Sequence, residues 1–176
     1  LGTAIARDLR VRGASLVLTA RNAALLDALA AELDAEVLIA DLTDRSDVER
    51  VAARAASCDV LIANAGVGDD PPFDEFDEDD IDFSIDVNLR APIVLANAYA
   101  KARIAAGEPG QIVLVGSLSG LAASPGTRMY NATKFGLRGF AHSLRQDLDG
   151  SGIGLTLSTY GIQTFTRTKA WHLRSA

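Results

Sequence analysis

Short apolar runs rich in Val, Ile and Leu alternate with longer segments whose apolar residues recur at helical spacing, from one end of the chain to the other. Such runs suit strands buried on both faces, and strands of that kind belong to a parallel sheet covered by helices. The alternation predicts strands at Ser15 to Thr19, Glu36 to Ala40, Asp59 to Ala63, Gln111 to Gly116 and Gly154 to Ser158. Helices are expected at Thr3 to Arg12, Ala23 to Leu33, Arg45 to Ala56, Asp79 to Ala106 and Arg128 to Asp149. No repeat or long linker interrupts the order. With 176 residues, 48% of them hydrophobic, the chain can bury one substantial core, and a single doubly wound α/β domain over 1–176 is the expected architecture.

Charge and composition remove several classes of function. The net charge is -6 and no basic tract occurs, so nucleic acid and anionic membrane surfaces are disfavoured as partners. No apolar run is long enough to span a bilayer, and a cytoplasmic protein is expected. Cys58 is a single cysteine beside an apolar run and reads as a small core residue. His142 and His172 lack metal-ligand spacing, so no metal site is expected; His142 is placed at a packing surface. The acid-rich segment from Asp69 to Asp82 reads as a solvated loop leading into a helix whose N-terminal dipole favours negative charge.

In sheets of this type ligands bind beyond the carboxyl ends of the strands. Polar and small residues gather there: Arg21 after the first run, Asp41 after the second, Asn64, Ala65 and Gly66 after the third, Ser117 after the fourth. Each taken singly also suits a turn or helix cap. Tyr130 and Lys134 stand four apart, a spacing that stacks side chains on one helical face. An ammonium there favours phenolate and brings tyrosine closer to useful acid/base chemistry at neutral pH.

Three motifs carry a family resemblance: Leu-Ile-Ala-Asn-Ala-Gly at Leu61 to Gly66, Asp-Val-Asn-Leu at Asp86 to Leu89, and the set Ser117, Tyr130, Lys134. Together they resemble the short-chain dehydrogenase/reductase enzymes in their single-domain, Rossmann-type form, from Leu1 to about Gly161. The resemblance implies an alcohol/ketone oxidoreductase in which Tyr130 is the general acid/base and Ser117 hydrogen-bonds the substrate oxygen. It further implies that Lys134 lowers the Tyr130 pKa and binds the nicotinamide ribose, while Asn88 holds a water in a proton relay. Gly2 matches the last glycine of the phosphate loop, Asp41 with Leu42 the adenine contact, and Asn64 to Gly66 the segment lining the adenosine. Ala20 is neutral and Arg21 cationic where an acidic residue would bind the 2′-hydroxyl of NAD, so NADP(H) is favoured over NAD(H). A small carbonyl or alcohol substrate and, in an intact parent, a homo-oligomer complete the expectation.

The chain departs from the family at both ends. Only Leu1-Gly2 stands where a first strand and Gly-rich loop are expected, which removes a central strand between Ser15 to Thr19 and Asp59 to Ala63. Near the other end Tyr160 replaces the usual proline, Gly161 fits, and 162–176 reads as an atypical tail lacking the final strand. A fragment of an oxidoreductase is therefore expected, with a non-catalytic Rossmann-type binding or scaffold protein as the alternative.

Overall fold

Three helices begin where the sequence supplies a side-chain cap, and these starts help to order the chain. The computed structural model describes residues 1–68 and 70–158. Among them α1 spans Gly2–Val11, α2 Ala23–Leu33, α3 Arg45–Ala55, α4 Glu78–Ile85, α5 Ala91–Ala106 and α6 Arg128–Asp147. The strands are β1 Val17–Ala20, β2 Glu36–Ile39, β3 Val60–Ala63, β4 Gly110–Val115 and β5 Ile153–Ser158. Asn22 caps α2 and Asp44 caps α3, each accepting a backbone N–H three residues on. Asp77 and Asp80 form a reciprocal capping box at α4, which accounts for part of the acid-rich segment. Asp70, in the same segment, is not solvated: its side chain is 4% exposed.

All strand pairs are parallel, and the strands form two sheets rather than one. β1 pairs with β2, Val17 opposite Glu36, while β4 sits between β3 and β5, with Val60 opposite Gln111 and Gly110 opposite Ile153. The break falls between β1 and β3, where the missing central strand was expected. β4, flanked on both sides, buries Ile112, Val113 and Leu114, whereas Val60 of β3 remains 45% exposed. Backbone groups on the inner edges of β1 and β3 have no ladder partner among the described strands.

The core lies where α5 and α6 pack on the three-stranded sheet and α3 packs on α5, around Val48, Leu95, Tyr99, Ile112, Leu114 and Leu137. The buried Tyr99 hydroxyl donates to Asp59 O at 2.7 Å and accepts from Gln111 N at 3.3 Å, tying the entry of β3 to that of β4. A Cβ at Gly110 would lie 2.5 Å from that hydroxyl, so β4 can begin there only with glycine. Burial raises the Tyr99 pKa.

The single helix expected at Asp79 to Ala106 is interrupted. A π-helical turn, Asp86–Arg90, separates α4 from α5, with Ala91 N–H reaching back to Asp86 O. Pro92 explains the interruption: it has no N–H to give Asn88 O four residues earlier, so an unbroken α-helix cannot close there. Cys58 is half-buried rather than core, held by Arg54 Nη1 at 3.3 Å. The expectations for Tyr160, Gly161, His172 and the 162–176 tail lie outside the described residues.

Candidate active site

β4 ends at Val115, and the chain then turns through Ser117, which opens a short 3₁₀ turn over Leu118–Gly120. The Ser117 hydroxyl oxygen accepts Ser119 N–H at 3.1 Å, so the turn itself fixes the side chain. Lys134, on α6, returns to the same place: its Nζ donates to Val115 O at 3.0 Å. The lysine is 4% exposed, and burial alone lowers its pKa below the ordinary value. Its ammonium lies 5.6 Å from the centre of the Tyr130 ring, one helical turn back. Gly120 packs so closely against this turn that a Cβ would sit 2.9 Å from Lys134 O.

Asn88 reaches the site from the π-helical turn. Its side-chain oxygen accepts Val67 N–H at 2.8 Å and its amide donates to Val67 O at 2.8 Å, the pairing one strand offers another. The same amide donates to Thr133 Oγ1 at 3.3 Å, and Thr133 in turn donates to Tyr130 O at 3.0 Å. Asn88 thus fastens the loop after β3 to the helix that carries Tyr130 and Lys134. A Cβ at Gly66 would lie 3.1 Å from Asn88 Oδ1 and 3.5 Å from Lys134 Nζ, so Gly66, Asn88 and Lys134 converge and only glycine leaves the space open.

The nucleotide-facing candidates come together less tightly. Gly2 opens α1 against Asn64, where a Cβ would lie 2.9 Å from Asn64 Nδ2. Leu1, the N-cap of α1, makes no side-chain hydrogen bond to the helix. Asn64 Oδ1 is buried without a hydrogen-bond partner, while Ala65 and Gly66 are exposed. Arg21 is exposed beyond β1, 4.0 Å from Asp41 Oδ2 and 5.4 Å over the Phe83 ring. Asp41 uses its other oxygen to close a turn onto Thr43, accepting the N–H and the hydroxyl at 2.9 Å each. Leu42 packs against the core. Among the described residues no three His, Cys, Asp or Glu side chains gather as a metal site would need, and no helix is long and apolar enough to cross a membrane.

Sequence reasoning missed Thr133 and Val67. Thr133 lies three residues beyond Tyr130 with nothing in the pattern to mark it, and Val67 contributes only backbone.

The comparisons with known proteins identify the family. The model of the short chain dehydrogenase family matches residues 1–172, and the chain belongs to that family. The match runs past Gly161, into the segment read as a tail. Among curated relatives, the 3-oxoacyl-[acyl-carrier-protein] reductase FabG of Rickettsia bellii is 30% identical over 155 residues, covering 87% of this chain and 64% of the relative. The chain thus spans less than two thirds of that protein's length. A metagenomic short-chain oxidoreductase solved in complex with NADP is 35% identical, with a TM-score of 0.82 over 91% of this chain and 76% of the other. A short-chain dehydrogenase from Sphingobium yanoikuyae, solved with NADPH, is 35% identical with a TM-score of 0.78 over 90% of this chain and 66% of the other.

Proposed function

We propose that this chain is the dinucleotide-binding and catalytic part of an NADP(H)-dependent oxidoreductase that interconverts an alcohol with a ketone or aldehyde. The observation that carries the reading is the convergence of Lys134, Tyr130 and Asn88 beside the Ser117 turn at the carboxyl ends of β3 and β4. The residues fit the cofactor: uncapped amides at the start of α1 suit a pyrophosphate, and the weakly paired Arg21 suits a 2′-phosphate. Two structural neighbours are complexes with NADP and NADPH, which supports the same choice.

NADP(H), when bound, supplies or accepts the hydride. Tyr130 gives its phenolic proton to the substrate oxygen during reduction and takes it back during oxidation. Ser117 donates a hydrogen bond to the same oxygen, where negative charge develops. Lys134 keeps a positive charge beside the Tyr130 ring and has donors left over from Val115 O for ribose hydroxyls. The Asn88 side chain is engaged with Val67 and Thr133, so its part in a proton relay falls to its main-chain carbonyl, which Pro92 deprives of the ordinary helical donor. Val94 and Ile104 on α5 and Phe135 on α6 are exposed apolar residues of the kind that self-association would cover. The same reading sets the protein in the cytoplasm.

The test is NADPH fluorescence with a panel of ketones, on the wild type and on Tyr130→Phe. Oxidation of NADPH by the wild type, lost by roughly 10² to 10⁴ in the variant with the NADPH affinity unchanged, is the expected result. Unchanged turnover in Tyr130→Phe overturns the assigned role. Binding without any oxidation by the wild type supports the non-catalytic alternative.

A further inference from the structure

The first turn of α6 lacks a local cap. The hydroxyl of its N-cap residue, Thr127, caps no backbone amide of the helix and instead accepts the Asn131 side-chain amide at 2.8 Å. The amide of Met129 donates instead to Asp70 Oδ2 at 2.9 Å, from a segment far away in sequence. Burying a carboxylate is expensive unless it is paired, and Asp70 is compensated by that amide, by the positive end of α6 and by Arg128 Nε at 3.7 Å. Arg128 is held in its turn by the same segment. Its guanidinium lies 4.7 Å from the Phe76 ring centre and 5.4 Å from that of Phe73, and its Nη2 donates to Pro71 O at 2.8 Å. A flat guanidinium spans this set of contacts, with its buried Nε held by the Asp70 charge rather than by a hydrogen bond, whereas an ammonium is a point charge with a different shape.

The segment so fastened begins at the loop that Asn88 clamps at Val67 and ends in the capping box of α4. It therefore leads from the carboxyl end of β3 to the start of α4 and on the way is fastened to the turn of α6 that carries Tyr130. We propose that Asp70 and Arg128 are positioning residues for Tyr130: together they latch the Pro71–Phe76 segment to the start of α6 and set where the phenol stands. The inference rests on the role given to Tyr130 above. Neither residue touches the reacting atoms, and each acts through the helix.

The experiment reads the helix and the phenol separately from turnover. Amide hydrogen exchange at Met129, together with the ¹⁹F signal of fluorotyrosine at position 130, is measured in Asp70→Ala, Asp70→Asn, Arg128→Ala and Arg128→Lys. The Tyr130 signal is assigned by its loss in Tyr130→Phe. Loss of a helix cap is expected to speed Met129 exchange about five- to thirty-fold in Asp70→Ala, with less effect in Asp70→Asn, which keeps an oxygen acceptor. Arg128→Ala is expected to speed the same amide and to shift or split the Tyr130 signal, with Ile112 and Leu114 unchanged. Arg128→Lys recovers the melting temperature but not the signal. A Tyr130 signal that stays put in Arg128→Ala and Asp70→Ala, even with a lowered melting temperature, overturns the proposal. If either truncation fails to fold, the two conservative variants decide by the same signal. Absence of turnover in the wild type would count against the oxidoreductase reading alone.

Discussion

Lys134 carries the largest electrostatic tension among the candidate site residues. Its ammonium is withdrawn from water with a single carbonyl, Val115 O, as hydrogen-bond partner and an aromatic ring nearby. Burial lowers its pKa in the folded chain below the 10.5 of a free lysine. The unfolded chain therefore binds more protons than the folded one between the lowered value and 10.5, and stability gains from this group as pH rises through that window. Below the window the charge is present in both states and its burial opposes folding in full. Urea unfolding of the wild type and of Lys134→Met, compared from neutral pH upward, should show the wild type gaining on the variant as pH approaches the free-lysine value. A pH-independent difference would mean that the ammonium is solvated. A bound ribose or other acceptor near Nζ would ease the same tension, so the gain should shrink when NADPH is present.

At the scale of elements, the π-helical turn at Asp86–Arg90 does more for the site than any single strand. By placing Asn88 against Val67 and Thr133, it joins the loop after β3 to α6. Asn88→Ala would leave the Val67 N–H and C=O without their partners. An unmade buried hydrogen bond costs about 1 to 3 kcal/mol, and a loss of about 2 kcal/mol is expected from chemical denaturation of that variant. The strands and most helices were legible within a residue or two, because buried parallel strands leave dense Val, Ile and Leu runs. The interruption in the long helix was not, since its cause is one missing N–H at Pro92, a residue equally at home in the first turn of a new helix. Spacing and strand ends point to Ser117, Tyr130 and Lys134, and the family motif points to Asn88. Asp70 could not be told from its acidic neighbours, because only its burial sets it apart.

At the scale of the whole molecule, the described residues are organised around a sheet in two parts. Hydrogen-bonded strands normally share their edges, yet β1 and β3 each present one without a described partner, and Val60 and Ile39 remain substantially exposed. The chain from Leu1 to Ala176 should therefore melt at low temperature and with poor cooperativity, as a domain whose stability rests on burial loses much of it at an open seam. Differential scanning calorimetry tests this: a sharp transition together with micromolar NADPH binding would refute it. Supplying a strand-forming segment ahead of Leu1 should raise the melting temperature if that segment pairs both edges.

Because Val17 meets Glu36, Val60 meets Gln111 and Gly110 meets Ile153 in parallel, none of these three pairs can be closed by a hairpin. Each waits for a helix to be made first. On the ribosome, at roughly 5 to 20 residues per second, β3 emerges several seconds before β4 arrives to cover it. During that interval the edge of β3 that β4 covers is bare, so whether the nascent chain matures or clumps depends on whether β4 or another chain reaches that edge first.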